Sequence, residues 1–387
     1  MKTTKRNYII FFYTYFAMNV VFIIVNVYLP VYFFNVLNVN RVELAFVQLF
    51  AYLSLFSRPL IALYFDKERS HMKMVVIISS IGMVVSFLLF ILNLSLLIIF
   101  GIFLAIYFIC AAIMRVAIDK IFVNSSLDDK SKDRYSAYMQ VGAITGALFP
   151  NVFAIVFFTD IYSVPLWNIF FLVGIIAVFP IIIVSSIIQF EITGIEEVNK
   201  SEKEQINKRG IILISIALFL IYADNIYQYP LEPWILDTYG AENFTLILIF
   251  FGIVIILNGV GVILAGIFSN RFERIKVLFL ASLVYGILLI IAPFTSMVLF
   301  FTLFGIMNIC SGFIIVNMMT LVNDYSQKKV VYYQIMWFFG LLAVVIFIPV
   351  GTYLSVFIAT EIIIVIGGIF RLFSLIPIYL LRKEIKK

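Results

Sequence analysis

The sequence predicts an all-α polytopic membrane protein whose twelve transmembrane helices form two pseudo-symmetric six-helix bundles. Three observations predict it. Hydrophobic residues make up 64% of the 387-residue chain and charged residues only 12%, so a soluble fold would lack the polar side chains to cover its own surface. The apolar residues fall in continuous runs of about 20, long enough for a helix to cross the hydrocarbon core and twice the length of a membrane β-strand. Lys and Arg gather in every second loop, as they do on the cytoplasmic side of membrane proteins.

Twelve runs meet the length requirement, at approximately 8–36, 43–65, 74–93, 95–117, 135–158, 166–188, 210–236, 245–268, 276–292, 297–322, 330–350 and 354–381; they are called spans 1 to 12. Span 1 is too long for a cleaved signal peptide, contains Asn19 and Asn26, and lacks a small-residue cleavage site. Span 2 carries Arg58 and Pro59 about two-thirds of the way through. Span 4 ends at Arg115 and Asp119, an i, i+4 pair. Span 5 has Gly142 and Gly146, a small-residue spacing that lets helices pack closely. Span 7 reads ISIALFLIYADNIYQYPLEPWIL and is the most polar of the twelve. Span 12 holds Glu361 and Arg371.

Orientation follows from the cations. The N-terminus has Lys2, Lys5 and Arg6, and the tail has Arg382, Lys383, Lys386 and Lys387. The loops after spans 2, 4, 6, 8 and 10 carry the rest, from Lys67 and Arg69 to Lys328 and Lys329, while the opposite side has Arg41 alone. Both termini are therefore expected in the cytoplasm and the chain in the cell membrane, which requires an even number of spans. The net charge of +6 has the same origin and does not signal nucleic-acid binding. The longest polar stretch, 189–209, is expected to be a cytoplasmic linker between a first bundle at 1–188 and a second at 210–387.

The two halves repeat at an offset near 204 residues. ALYFDKERSHMK at 62–73 matches GIFSNRFERIK at 266–276, and Phe100-Gly101-Ile102 returns as Phe304-Gly305-Ile306. Repeated membrane bundles hold their substrate at mid-depth between the repeats. With Ser57-Arg58-Pro59-Leu60, Ala62, Asp66 and Lys67 in the loop after span 2, the chain resembles the major facilitator superfamily of secondary transporters. It departs from the family loop at Ala62 and Arg69, where glycines are usual, and its second copy has Asn270 in place of the acid. The resemblance implies alternating access, with Asp66 closing the cytoplasmic side. It implies a gate formed by Asp66, Lys67, Arg69, Arg115, Asp119, Asn270 and Arg271. A carboxylate near a helix N-terminus is stabilised by about 0.3–1 kcal/mol, which suits Asp66 to capping span 11. The resemblance also makes span 12 peripheral, so Glu361 and Arg371 carry no assigned role.

Charges inside lipid cost about 2.5–3.5 kcal/mol each at mid-depth and therefore need a reason. Asp224, Gln228 and Glu232 are spaced i, i+4, i+8 on one face of span 7. Asp224 lies about 21 Å from the cytoplasmic start and Glu232 about 12 Å farther out. Pro230 and Pro233 break the backbone ladder, so a kinked or opened outer end is expected. Asp224, Gln228, Glu232, Asn19, Asn26, Arg58 and Tyr227 are the candidate substrate or proton ligands, with Tyr107, Gln140, Asn308, Asn317, Gln334 and Trp337 behind them. Burial disfavours the charged form of a carboxylate, which suits Asp224 to carrying a proton.

These features favour a secondary active transporter of a small organic solute, coupled to protons through an acid of span 7. A proton-independent facilitator and a non-transporting receptor or sensor are the alternatives. A membrane enzyme is disfavoured, because one histidine and two apolar cysteines make no nucleophile or metal set, and no Walker motif is present. The expected partners are the solute, protons and lipid; no cofactor or metal is expected, and the chain is expected to act as a monomer.

Overall fold

The computed structural model describes residues 2–53, 56–67, 71–92, 95–125, 129–158, 160–188, 207–269, 273–326 and 330–385, and the chain is helical in all its long elements. Eleven helices are long and apolar enough to cross a membrane, among them Tyr8–Asn35, Lys208–Tyr239, Met297–Tyr325, Val330–Leu354 and Thr360–Glu384. The place of span 2 is taken by two helices, Arg41–Leu53 and Ser57–Lys67, on either side of residues 54–55, which lie outside the described set. The count of twelve is thus nearly met, by eleven candidate spans and two shorter helices at the place of span 2. Most of the linker, Arg69, Asn270 and Arg271 also lie outside the described residues, as do the side chains of Asp66 and Lys67.

Large apolar side chains point outward along every span. Ile98 is 78% exposed and Ile263 66% exposed. In water such a surface would aggregate; in hydrocarbon it is the ordinary outside of a membrane bundle. The buried faces are set by close helix packing, which replaces hydrophobic collapse inside lipid. Span 5 lies on span 1, where the α-carbons of Gly142 and Gly146 meet the backbone carbonyls of Phe12 and Phe16. Span 11 lies on span 7 in the same relation, with Gly351 against the Ile226 carbonyl. Contacts between the bundles run mainly through spans 2 and 11 and through spans 5 and 8.

Among the described residues span 6 turns at Phe179–Pro180 and span 12 at Ser374, and the helical ladder also changes within spans 1 and 7, where proline accounts for both changes. Span 7 is an α-helix over Lys208–Ala223, a 3-10 turn over Asp224–Tyr227, and an α-helix again over Gln228–Tyr239. Pro230 has no N–H to bond the Ile226 carbonyl four residues earlier, so the ladder opens there. The break therefore falls one turn before the prolines rather than at the outer end, which stays helical to Tyr239. Span 1 has a π-helical turn over Ile24–Tyr28, and Pro30 lacks the donor for the Asn26 carbonyl. The hydroxyl of Tyr229 donates to the Val25 carbonyl at 2.8 Å, so the two breaks touch across the bundles at positions 204 residues apart.

Candidate substrate cavity

A cavity of about 340 Å³ lies between the bundles. Spans 7 to 12 supply most of its wall, and spans 1 and 5 supply Phe22, Ile23, Val27 and Asn151. Its size falls within the range of small-molecule sites, and its wall has their usual character, apolar with a few placed polar groups. Asp224, Tyr227, Gln228 and Glu232 all line it. The 3-10 turn keeps this stretch facing inward over two turns, although it departs from ideal α-helical register.

Asp224 is 2% exposed and is held by Arg371 of span 12, whose Nε donates to Oδ2 at 3.0 Å and whose Nη2 donates to the same oxygen. Asn225 Nδ2 donates to Oδ1 at 3.1 Å. The Arg371 guanidinium lies over the Tyr285 ring at 4.2 Å, and the hydroxyls of Tyr285 and Tyr227 are 3.1 Å apart. Span 12 is therefore not peripheral: its one arginine enters the cavity. The signal for this is in the sequence, because a guanidinium in the middle of an apolar span demands a partner. Glu361 has a structural partner instead, accepting from Trp234 Nε1 at 3.0 Å.

Glu232 is 5% exposed, lines the cavity and leaves Oε2 without a hydrogen-bond partner among the described residues. Asn19 and Asn26 are not among the residues that line the cavity. Their amides donate to the carbonyls of Tyr15 and Phe22, each at 2.8 Å, along their own helix. Arg58 also stands outside the lining, next to Arg115 and Asp119. Of the weaker candidates, Asn308 and Trp337 line the cavity; Asn151 and Ser311, not singled out in the sequence, do so too.

Below the cavity, toward the end where the basic loops lie, the bundles meet through a polar cluster. Asp119 Oδ2 accepts from Gln334 Nε2 of span 11 at 2.8 Å and from Arg115 Nε at 3.4 Å. Arg115 lies over the Tyr15 ring at 4.2 Å. Close by, Gln140 Nε2 of span 5 is 3.2 Å from the Met319 sulfur of span 10.

Residues 214–387 match the family model of the Major Facilitator Superfamily. The whole chain has the fold of solved transporters. It superposes on a bacterial homologue of the iron transporter ferroportin in its outward-facing state with a TM-score of 0.72, at 11% identity over 99% of this chain and 100% of that one. The nucleoside transporter NupG gives 0.69 at 12% identity, covering 99% and 100%. The Escherichia coli fucose:proton symporter FucP gives 0.64 at 13%, covering 98% of each. No curated protein sequence matches the chain. The protein is thus a multi-pass integral membrane protein with a secondary-transporter fold. Its second half matches the Major Facilitator Superfamily model, and the whole chain shares the fold of the solved transporters.

Proposed function

We propose that the protein is an alternating-access secondary transporter that carries a small organic solute in the cavity between its bundles. The observation that carries this reading is the cavity itself, lined by Asp224, Glu232 and Arg371 at a depth where charges are costly. The bundles are read as 1–188 and 210–387, joined by a cytoplasmic 189–209 linker, with both termini cytoplasmic and the polar cluster below the cavity as the inner gate. That a fucose:proton symporter shares the fold supports coupling to protons.

Within span 7, coupling is assigned to Glu232 in preference to Asp224. Asp224 and Arg371 belong to the same bundle, so rocking of one bundle against the other leaves their pair intact. Glu232 has a free oxygen at the cavity wall and can exchange a proton with whichever side the cavity faces. Purified protein in liposomes with a pH gradient imposed in each direction tests the reading, using a mixed pool of polar metabolites. Accumulation that collapses with the gradient is expected. In Glu232→Gln, accumulation should be lost while exchange of the same solute continues at a lower rate. Accumulation by the Gln variant equal to wild type would remove Glu232 from coupling.

A further inference from the structure

Two buried polar atoms without a hydrogen-bond partner among the described residues belong to side chains of the cavity wall: Nη1 of Arg371 and Oε2 of Glu232. Native structures leave few such atoms, and each one needs an explanation. One is a donor and one an acceptor. Arg371 bonds Asp224 of span 7. Glu232 lies eight residues beyond Asp224 in the same span, about 12 Å away at the helical rise.

The two ends differ in charge. Arg371 is neutralised by Asp224, and its plane is fixed by the Tyr285 ring, so Nη1 offers a directed hydrogen bond without a net charge to match. That end suits a neutral oxygen, such as a hydroxyl or carbonyl. Glu232 has no cationic partner among the described residues. A buried carboxylate in that position is best matched by a charged donor. Phe251 and Phe304 of the wall offer apolar contact.

We propose that the solute is a small amine with a neutral oxygen at its far end, its ammonium group on Glu232 and its oxygen on Arg371 Nη1. This rests on the cavity being the solute site and adds the class of molecule that fits it. Tyramine has both groups; 4-ethylphenol lacks the amine and phenethylamine lacks the oxygen. Binding of the three to purified protein is measured by thermal stabilisation and titration. Tyramine should bind about tenfold tighter than either analogue, since a hydrogen bond to a charged group is worth at least that factor. Glu232→Gln should bind tyramine no better than 4-ethylphenol. Arg371→Gln alone leaves Asp224 unpaired and risks misfolding, so Arg371→Met made together with Asp224→Asn tests the other end and should reduce tyramine to the level of phenethylamine. Tyramine no tighter than 4-ethylphenol, an unchanged Glu232→Gln, or no binding by any of the three overturns the proposal. Tyramine binding without exchange in liposomes would instead overturn the transport reading and leave this assignment standing. Exchange of solutes that lack an amine, with tyramine neither bound nor competing, would do the reverse.

Discussion

Asp119 and Gln334 are 215 residues apart in sequence and 2.8 Å apart across the two bundles. A hydrogen bond to a charged group is worth about 1.5–3 kcal/mol, which can shift a two-state balance tenfold or more. Asp119→Leu should therefore loosen the basic end and enrich the state open on that side. Spin labels at the basic ends of spans 4 and 11 should report a longer distance, and an unchanged distribution would reduce Asp119 to a partner of Arg115. Asp119, Asp224, Glu232 and Arg371 are each legible in the sequence as charges that lipid will not tolerate alone. Their partners are not legible. Arg371 is 147 residues from Asp224, and only the packing of span 12 beside span 7 brings them together. The same limit explains Asn19 and Asn26. Spacing puts them on one face of span 1, but each amide bonds a carbonyl of its own helix.

At the level of elements, the spans are legible because hydropathy marks them directly: 8–36 becomes Tyr8–Asn35 and 330–350 becomes Val330–Leu354. The last span is the exception. It begins at Thr360, because residues 355–358 turn while remaining apolar, and an apolar turn leaves no mark in hydropathy. The breaks in spans 1 and 7 follow from Pro30 and Pro230, though their position depends on which carbonyl loses its donor. The freed Ile226 carbonyl lies against Gly351, so this glycine is required by close approach. Gly351→Ala should push span 11 off span 7 at a cost of about 1–3 kcal/mol, as overpacking does. Gly252→Ala is the control, since a methyl there would meet only Ile155 Cδ1 at 3.8 Å. Melting temperatures of the two purified variants check this; equal values would mean that the approach at Gly351 is not tight.

For the whole molecule, the proposed transport requires that one cavity between two repeated bundles be reached from both faces in turn. The contacts at its two ends are of different kinds. Toward the basic end lie the Asp119–Gln334 bond and the Gln140–Met319 contact, and toward the other lies the Tyr229 hydroxyl on the Val25 carbonyl. These few polar contacts can break without unfolding either bundle, because each bundle keeps its own packing of spans 1 on 5 and 7 on 11. Ser311 lines the cavity and offers a place for a reporter. The measurement is the reaction of Ser311→Cys, with Cys110 and Cys310 replaced, toward a membrane-impermeant thiol reagent applied to either face of sealed vesicles. Alternating access predicts labelling from both faces, with a cross-link between residues 25 and 229 abolishing labelling from that side and raising it from the other. Labelling from one face only, unaffected by the cross-link, would contradict transport and leave a receptor built on a transporter fold.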